Sequence, residues 1–347
     1  VTTDDFYTDK YEQYAEQFNP LINNRQERRK RKPKVNHTPK KTDDQIIVEV
    51  ADTLGLEAGF KTTYQPARYE TGWLLASLRT FFEQELITDV LTSVKGGKEA
   101  TVYCCQAHPI TGATLLAAKV YRPRMFRNLR NDKMYRQGRE TITLDGHLIK
   151  KNESRVMRAL GKKTTYGAQV QHTSWLMHEY KAIERLHRAG AAVPQPLSVG
   201  ENAILMSYYG DAQMAAPALN EIDLEADEAR HLFQEVLRNI ELMLQHNLIH
   251  GDLSAYNILY WQGEITFIDF PQIVNCHTNS ESYFILRRDI ERVCQYFQQQ
   301  GVRCDAAAIL DEMWSRYVEI GPANRAADLS RLTVNKDGDE EEETADE

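Results

Sequence analysis

Apolar positions recur along this chain with two periods, and the places where the period changes mark its elements. Residues 43–56 carry Ile46, Ile47, Val50 and Leu54 at helical spacing behind a possible Thr42 or Asp43 cap. Residues 73–86 repeat the pattern with Leu74, Leu78, Phe81 and Phe82, and both helices are expected to pack on the strands that follow. Short apolar runs of strand length come next: one on each side of Gly96-Gly97, one over residues 114–121, and one at Ala203-Ile204-Leu205. Helical spacing reappears over residues 175–186, through Leu176, Ile183 and Leu186, and over residues 226–245, through Ala229, Phe233, Val236, Leu237, Ile240 and Leu244. Between that long helix and two more, from about Glu281 and Ala306, the runs 258–261 and 265–268 flank Gln262-Gly263-Glu264 and predict a short hairpin.

Charge changes this picture in three places. The formal net charge of the 347 residues is −8, yet residues 337–347 alone hold eight acidic side chains and no basic one, so the rest sums to about zero. That tail has no side chain able to pack, and disorder is expected of it. Residues 25–41 hold nine Lys or Arg against a single Glu27, and Pro33 and Pro39 argue against a continuous helix, which predicts a mobile basic arm. Residues 122–163 carry thirteen Lys or Arg against four Asp or Glu, inside a connection from 122 to 173 that is long for an unstructured link. Both basic tracts fit a solvated surface, and both fit recruitment of an anion such as RNA or a ribosomal precursor.

Five cysteines, Cys104, Cys105, Cys276, Cys294 and Cys304, show neither C-x-x-C spacing nor a paired framework, so a reduced cytoplasm is expected. No apolar stretch approaches the ~18 residues that suggest a membrane span, and no membrane partner is expected.

The candidate chemistry lies in the string His250-Gly251-Asp252-Leu253-Ser254-Ala255-Tyr256-Asn257 and in Ile268-Asp269 downstream. Together they supply a base and two metal-ligand oxygens, which is what phosphoryl transfer from ATP requires. A polar loop rich in Asp and Asn also fits a plain turn. Upstream, Lys119 interrupts the apolar run 114–121, and burying an ammonium without a partner is expensive. Glu179 and Glu184 are its candidate partners, and Glu179 is preferred because it shares a helix face with Ile183 and Leu186. About twenty residues before the lysine, Ser93-Val94-Lys95-Gly96-Gly97-Lys98-Glu99-Ala100 would let the backbone approach phosphate oxygens, with charge from Lys95 or Lys98. A glycine pair there also fits a hairpin turn.

In order and spacing these residues resemble the RIO family of atypical protein kinases, particularly its bacterial members. The resemblance rests on Gly97-Lys98-Glu99-Ala100-x-Val102-Tyr103, Ala118-Lys119-Val120-Tyr121, Val193-Pro194-Gln195-Pro196, His250-Gly251-Asp252-Leu253-Ser254-x-x-Asn257, Ile268-Asp269-Phe270-Pro271-Gln272 and the stretch 282–290. It implies an α+β, bilobal protein-kinase-like fold with a β-rich N-lobe, an inserted flexible loop, and a helical C-lobe lacking a peptide-binding activation segment. It also implies ATP and Mg²⁺ as cofactors. Lys119 would contact the α- and β-phosphates and pair with Glu179, Asp252 would be the catalytic aspartate, and Asn257 with Asp269 would bind metal. Asp269 would be a possible phosphoaspartate acceptor. ATP contacts would fall on Val94, Lys95, Gly96, Gly97, Lys98, Glu99, Ala100, Val102, Lys119 and Glu179, and on a hinge at Met206 and Tyr208.

The implied organisation is a basic arm over 1–42, a helical extension over 43–85, an N-lobe over 86–210 with its insertion at 122–173, a C-lobe over 211–325 and an acidic tail over 326–347. The activity expected is that of an ATP- and Mg²⁺-dependent serine/threonine protein kinase, or an ATPase with autophosphorylation, on an unknown protein substrate. Two other readings fit the sequence. His250-Gly251-Asp252-Leu253 also resembles the aminoglycoside and choline phosphotransferases. A nucleotide-switched ribosome- or RNA-binding factor is the other.

Overall fold

The computed structural model describes residues 61–97, 100–121 and 164–319, with 135, 137, 139, 141–144, 146–149 and 154–162 in between. The basic arm, the helix expected over 43–56, residues 122–134 of the insertion and the acidic tail lie outside the described residues.

The first half is one sheet of six strands in the order β1-β2-β3-β4-β6-β5. Its members are β1 (Lys61–Thr62), β2 (Ile87–Gly96), β3 (Ala100–Ala107), β4 (Leu115–Tyr121), β5 (Pro196–Val199) and β6 (Ala203–Ser207). β1 joins β2 in parallel, and every other pairing is antiparallel. Successive side chains of a strand point to opposite faces, and β4 is buried on both. Leu116, Ala118 and Val120 pack with Leu74, Leu78 and Phe81 of α1 (Arg68–Glu83). Ala117 and Tyr121 pack with Leu176 and Met177 of a helix across the other face. Full burial of each large apolar side chain contributes about 1.5–3 kcal/mol, so Leu74, Leu78 and Phe81 hold α1 to the sheet through a shared core. Sheet and core run without interruption across position 85, and the helix begins at Arg68, five residues before the apolar period becomes visible. Glu70 anchors that start, accepting from the Ala67 N–H at 3.3 Å and from the hydroxyl of Tyr103.

The insertion departs from the expected flexible loop. Its last third is helical: α2 spans Ser154–Gly161, and α3 runs over Thr165–Arg188, capped by Thr164 Oγ1 accepting from Gly167 N at 3.1 Å. A net-charge count cannot register this, because Val156 and Leu160 stand one helical turn apart among the basic residues. Residues 141–149 turn back on themselves through a bridge between Ile142 and Leu148.

The second half is helical. α4 (Ala226–Gln245) buries Phe233, Val236 and Ile240 against α5 (Ser282–Gln299) and α6 (Ala306–Tyr317). Two small ribbons are set into it: β7 (Leu248–Ile249) with β10 (Val274–Asn275), and β8 (Ile258–Trp261) with β9 (Glu264–Phe267). All five cysteines are free thiols. Among the described residues no helix is long and apolar enough to cross a membrane.

Candidate active site

Lys119 lies in the middle of the sheet, in register with Val102 of β3 and Ile204 of β6. Its side chain leaves the face covered by α3, where Nζ lies 2.6 Å from Glu179 Oε1 and 2.6 Å from Asp269 Oδ1. Glu179 is only 1% exposed, and its Oε2 accepts from the hydroxyl of Tyr121. Tyr121 is two residues beyond Lys119 on the same face, and its ring packs edge-on against Trp175 at 4.8 Å. Its role was missed in the sequence, although the period of two from Lys119 was there to be read. Glu184 lies elsewhere on the helix, paired with Arg188 at 2.8 Å.

The glycine pair closes the β2–β3 hairpin, with Gly97 N donating to Ala100 O at 2.8 Å. A Cβ at Gly97 would lie 3.1 Å from that same oxygen. Val94, Lys95 and Gly96 belong to β2, while Ala100 and Val102 belong to β3. Lys98 and Glu99 lie outside the described residues. Met206 is buried at the end of β6, and Tyr208 follows just past the strand, its hydroxyl beside the Cys104 thiol.

The β7–β10 ribbon ends at His250 and holds the loop that follows. His250 is 2% exposed; Nε2 donates to Ile268 O at 3.1 Å and Nδ1 accepts from Asp252 N at 3.3 Å. Acceptance at Nδ1 requires the neutral ring, and burial accordingly pushes its pKa down to about 4. Gly251 has φ +85°, and a Cβ there would sit 2.3 Å from Gln272 O, so only glycine fits. From α5, Asp289 accepts from Gly251 N at 2.8 Å and Leu253 N at 3.2 Å, while Arg288 donates to Gly251 O. Burial outweighs these contacts and pushes the Asp289 carboxyl up to about 7. Arg292, one turn on, meets Asp252 Oδ1 at 2.8 Å. None of these three α5 residues is assigned a role by the sequence reading, since the motif strings do not say what a distant helix touches.

The β8–β9 hairpin puts Asn257 and Ile268 at its base, joined by Ile268 N to Asn257 O at 3.0 Å. Asn257 donates from its amide nitrogen to Asp252 O at 2.8 Å, which turns its amide oxygen into the atom available to ligate a metal. Asp269 follows with φ +70° and a side chain 44% exposed. Among the described residues no cluster of three His, Cys, Asp or Glu is present. The donors offered here are one carboxylate and one amide oxygen. That set fits Mg²⁺, which takes one or two carboxylates and completes its shell with phosphate and water.

The electrostatics centre on Lys119. Burial works against its charge, but the carboxylates of Asp269 and Glu179 outweigh burial and hold its pKa above the ordinary lysine range. Burial likewise opposes the Asp269 carboxylate, and Lys119, with smaller help from His250 and Lys95, outweighs it and holds that pKa low.

A model of the RIO domain matches residues 112–309, which spans Lys119, Glu179, Asp252, Asn257 and Asp269. The chain belongs to the RIO family. The serine/threonine-protein kinase rio1 of Schizosaccharomyces pombe is 33% identical over 46% of this chain and 32% of its own length. The RIO-type serine/threonine-protein kinase Rio1 of Haloferax volcanii is 30% identical over 63% of this chain and 66% of its own. The chain therefore spans 32% and 66% of the lengths of these two RIO relatives. A solved complex of Rio2 kinase from Chaetomium thermophilum with ADP/Mg²⁺ and phosphoaspartate is similar over 84% of each chain, at 16% identity and a TM-score of 0.46. The RIO fold of this chain is α+β, with a β-sheet N-lobe and a helical C-lobe.

Proposed function

We propose that the chain is an ATP- and Mg²⁺-dependent RIO-type serine/threonine protein kinase. The observation that carries this is the convergence of Lys119, Glu179 and Asp269, at 2.6 Å contacts, beside a loop that presents Asp252 and Asn257. The family relatives named as serine/threonine kinases support it, and they do not favour a small-molecule phosphotransferase or a factor that only binds nucleotide.

In this reading Lys119 neutralises the α- and β-phosphates while Glu179 and Tyr121 hold it in place. Asp252 accepts the proton of the attacking hydroxyl as the bond from the γ-phosphorus to the β-γ bridging oxygen breaks and a new P–O bond forms to the acceptor. Arg292 occupies one oxygen of Asp252 and fixes its direction. Asn257 and Asp269 would hold Mg²⁺, which would supply charge neutralisation at the phosphates. Asp269 is also a candidate acceptor of the phosphoryl group, since its carboxylate is the exposed one of the two that meet Lys119.

Purified protein incubated with γ-labelled ATP and Mg²⁺ tests the reading. Label should reach protein hydroxyls in the wild type and be absent from Asp252→Ala. Equal labelling of the two proteins would overturn the reading. Hydroxylamine treatment separates the acceptors, because an acyl phosphate on Asp269 is lost and phosphoserine survives.

A further inference from the structure

The family insertion does more than fill a gap between β4 and α3. Tyr135 is 7% exposed and belongs to the core of the opposite, helical lobe. Its hydroxyl accepts from Arg288 Nη1 at 2.7 Å, and Arg288 in turn donates to Gly251 O of the catalytic loop. Four residues on, Arg139 Nη2 donates to Pro271 O at 2.9 Å and to Ile273 O at 2.6 Å, the carbonyls that follow Asp269. The segment then returns to α3, where Ile142 N donates to Ser174 Oγ at 3.0 Å and Gly146 O accepts from Lys181 Nζ at 2.7 Å. Ser174 and Lys181 bracket Glu179. Residues of one stretch thus touch the helix that carries Glu179 and the loop that carries Asp269, and reach the loop that carries Asp252 through Arg288.

In kinases these three parts are commonly tied together by an activation segment, often only after phosphorylation. Here only residues 276–281 separate β10 from α5, too few for such a segment. We infer that the residues Tyr135, Arg139, Ile142 and Gly146 of the insertion form a clamp in cis that does this work, with Arg139 and Tyr135 as positioning residues for the metal-binding and catalytic loops. A single guanidinium nitrogen shared by two carbonyls fixes the backbone turn after Asp269, and removing it frees both oxygens at once. The inference deepens the proposed kinase reading and rests on it only for the effect on metal.

The test uses the full chain carrying Arg139→Met, which keeps the stem and removes the donors, and Tyr135→Phe, which keeps the core packing. Hydrogen exchange is followed first in the free protein. The amide of Ile273, which donates to Phe270 O at 3.1 Å, should exchange about tenfold faster in Arg139→Met, with amides of α4 unchanged. Tyr135→Phe should speed exchange at Leu253, whose loop Arg288 holds. In turnover, Arg139→Met should raise the Mg²⁺ needed for half-maximal rate about tenfold, with KM for ATP at saturating Mg²⁺ moving less than about twofold. Wild-type exchange over residues 268–276 in Arg139→Met would overturn the clamp. So would acceleration spread evenly into α4, which marks general loosening. Faster local exchange in a protein that shows no ATP turnover would uphold the clamp and overturn the kinase reading alone.

Discussion

Lys119 and Asp269 form an ion pair across the two lobes at 2.6 Å, the same distance that separates Lys119 from Glu179. The two bonds are not equivalent. Asp269 is 44% exposed, so water screens its share and the bond can exchange for a metal; Glu179 is 1% exposed and cannot be left alone. Removing the lysine should therefore act on folding through Glu179. Lys119→Met should lower stability by about 3–5 kcal/mol, as expected when one member of a buried pair is deleted. Adding Glu179→Gln should recover part of that loss, because the neutral amide is cheaper to bury beside Tyr121. Urea unfolding of the two variants decides it, and equal midpoints for Lys119→Met and the double variant would refute the argument.

Asp252 and Asp269 should separate in their effects. The Asp252 pair with Arg292 is 38% and 41% exposed, so Asp252→Asn should change stability by less than about 1 kcal/mol. Turnover should nevertheless fall roughly 10²- to 10⁴-fold, the usual share of a general base, with Mg²⁺-ATP affinity retained. Asp269→Asn should lose the Mg²⁺ dependence of nucleotide binding as well. Titration calorimetry with and without Mg²⁺, beside initial rates, checks both. Full turnover by Asp252→Asn would remove it from the chemistry.

What the sequence made legible follows from range. The lysine strand, the helix with Glu179, the hairpin between Asn257 and Asp269 and the order of the loops are local patterns, each written within about a dozen residues. Helix α1 was only half visible and strand β1 not at all, because Arg68 to Gly72 show no apolar period and a two-residue strand has none to show. Asp289, Arg292, Tyr135 and Arg139 escaped for a different reason. Their partners lie 36 to 153 positions away in most cases, as between Leu253 and Asp289 or Tyr135 and Arg288, and no periodicity encodes such pairings. The helical end of the insertion was hidden by its charge.

Gly251 should tolerate no side chain. Alanine would need φ near +85° and would place Cβ 2.3 Å from the backbone oxygen of Gln272, which is not a flexible end that can swing away. Relief requires moving either the catalytic loop or the segment after Asp269. Gly251→Ala should cost about 2–4 kcal/mol, by strain and lost loop contacts together, and should abolish turnover even where the protein remains folded. Circular dichroism with a thermal scan, followed by rates below the new midpoint, tests this. An active variant with wild-type Tm would show that the loop is looser than its contacts indicate.

His250 should make the fold sensitive to acid. Its folded pKa is about 4 against an ordinary 6.5, so below pH 6.5 the unfolded chain takes up a proton that the native ring refuses. The share of stability it contributes is complete above pH 6.5 and is lost as pH falls towards 4, about 3 kcal/mol in all. Asp252 and Asp269 face the ring and favour its protonation, while Lys119 opposes it, and burial exceeds each of them. Asp289 works in the other direction, since its carboxyl, raised to about 7, binds a proton in the native state first and stabilises the fold as pH falls. The wild-type curve will therefore be flatter than either group alone would make it, and the comparison with His250→Phe isolates the imidazole. The stability difference between wild type and variant, from urea unfolding, should shrink by about 3 kcal/mol between pH 7 and pH 4. A constant difference over that range would mean that His250 is charged in the native state, and its bond from Asp252 N could then not exist.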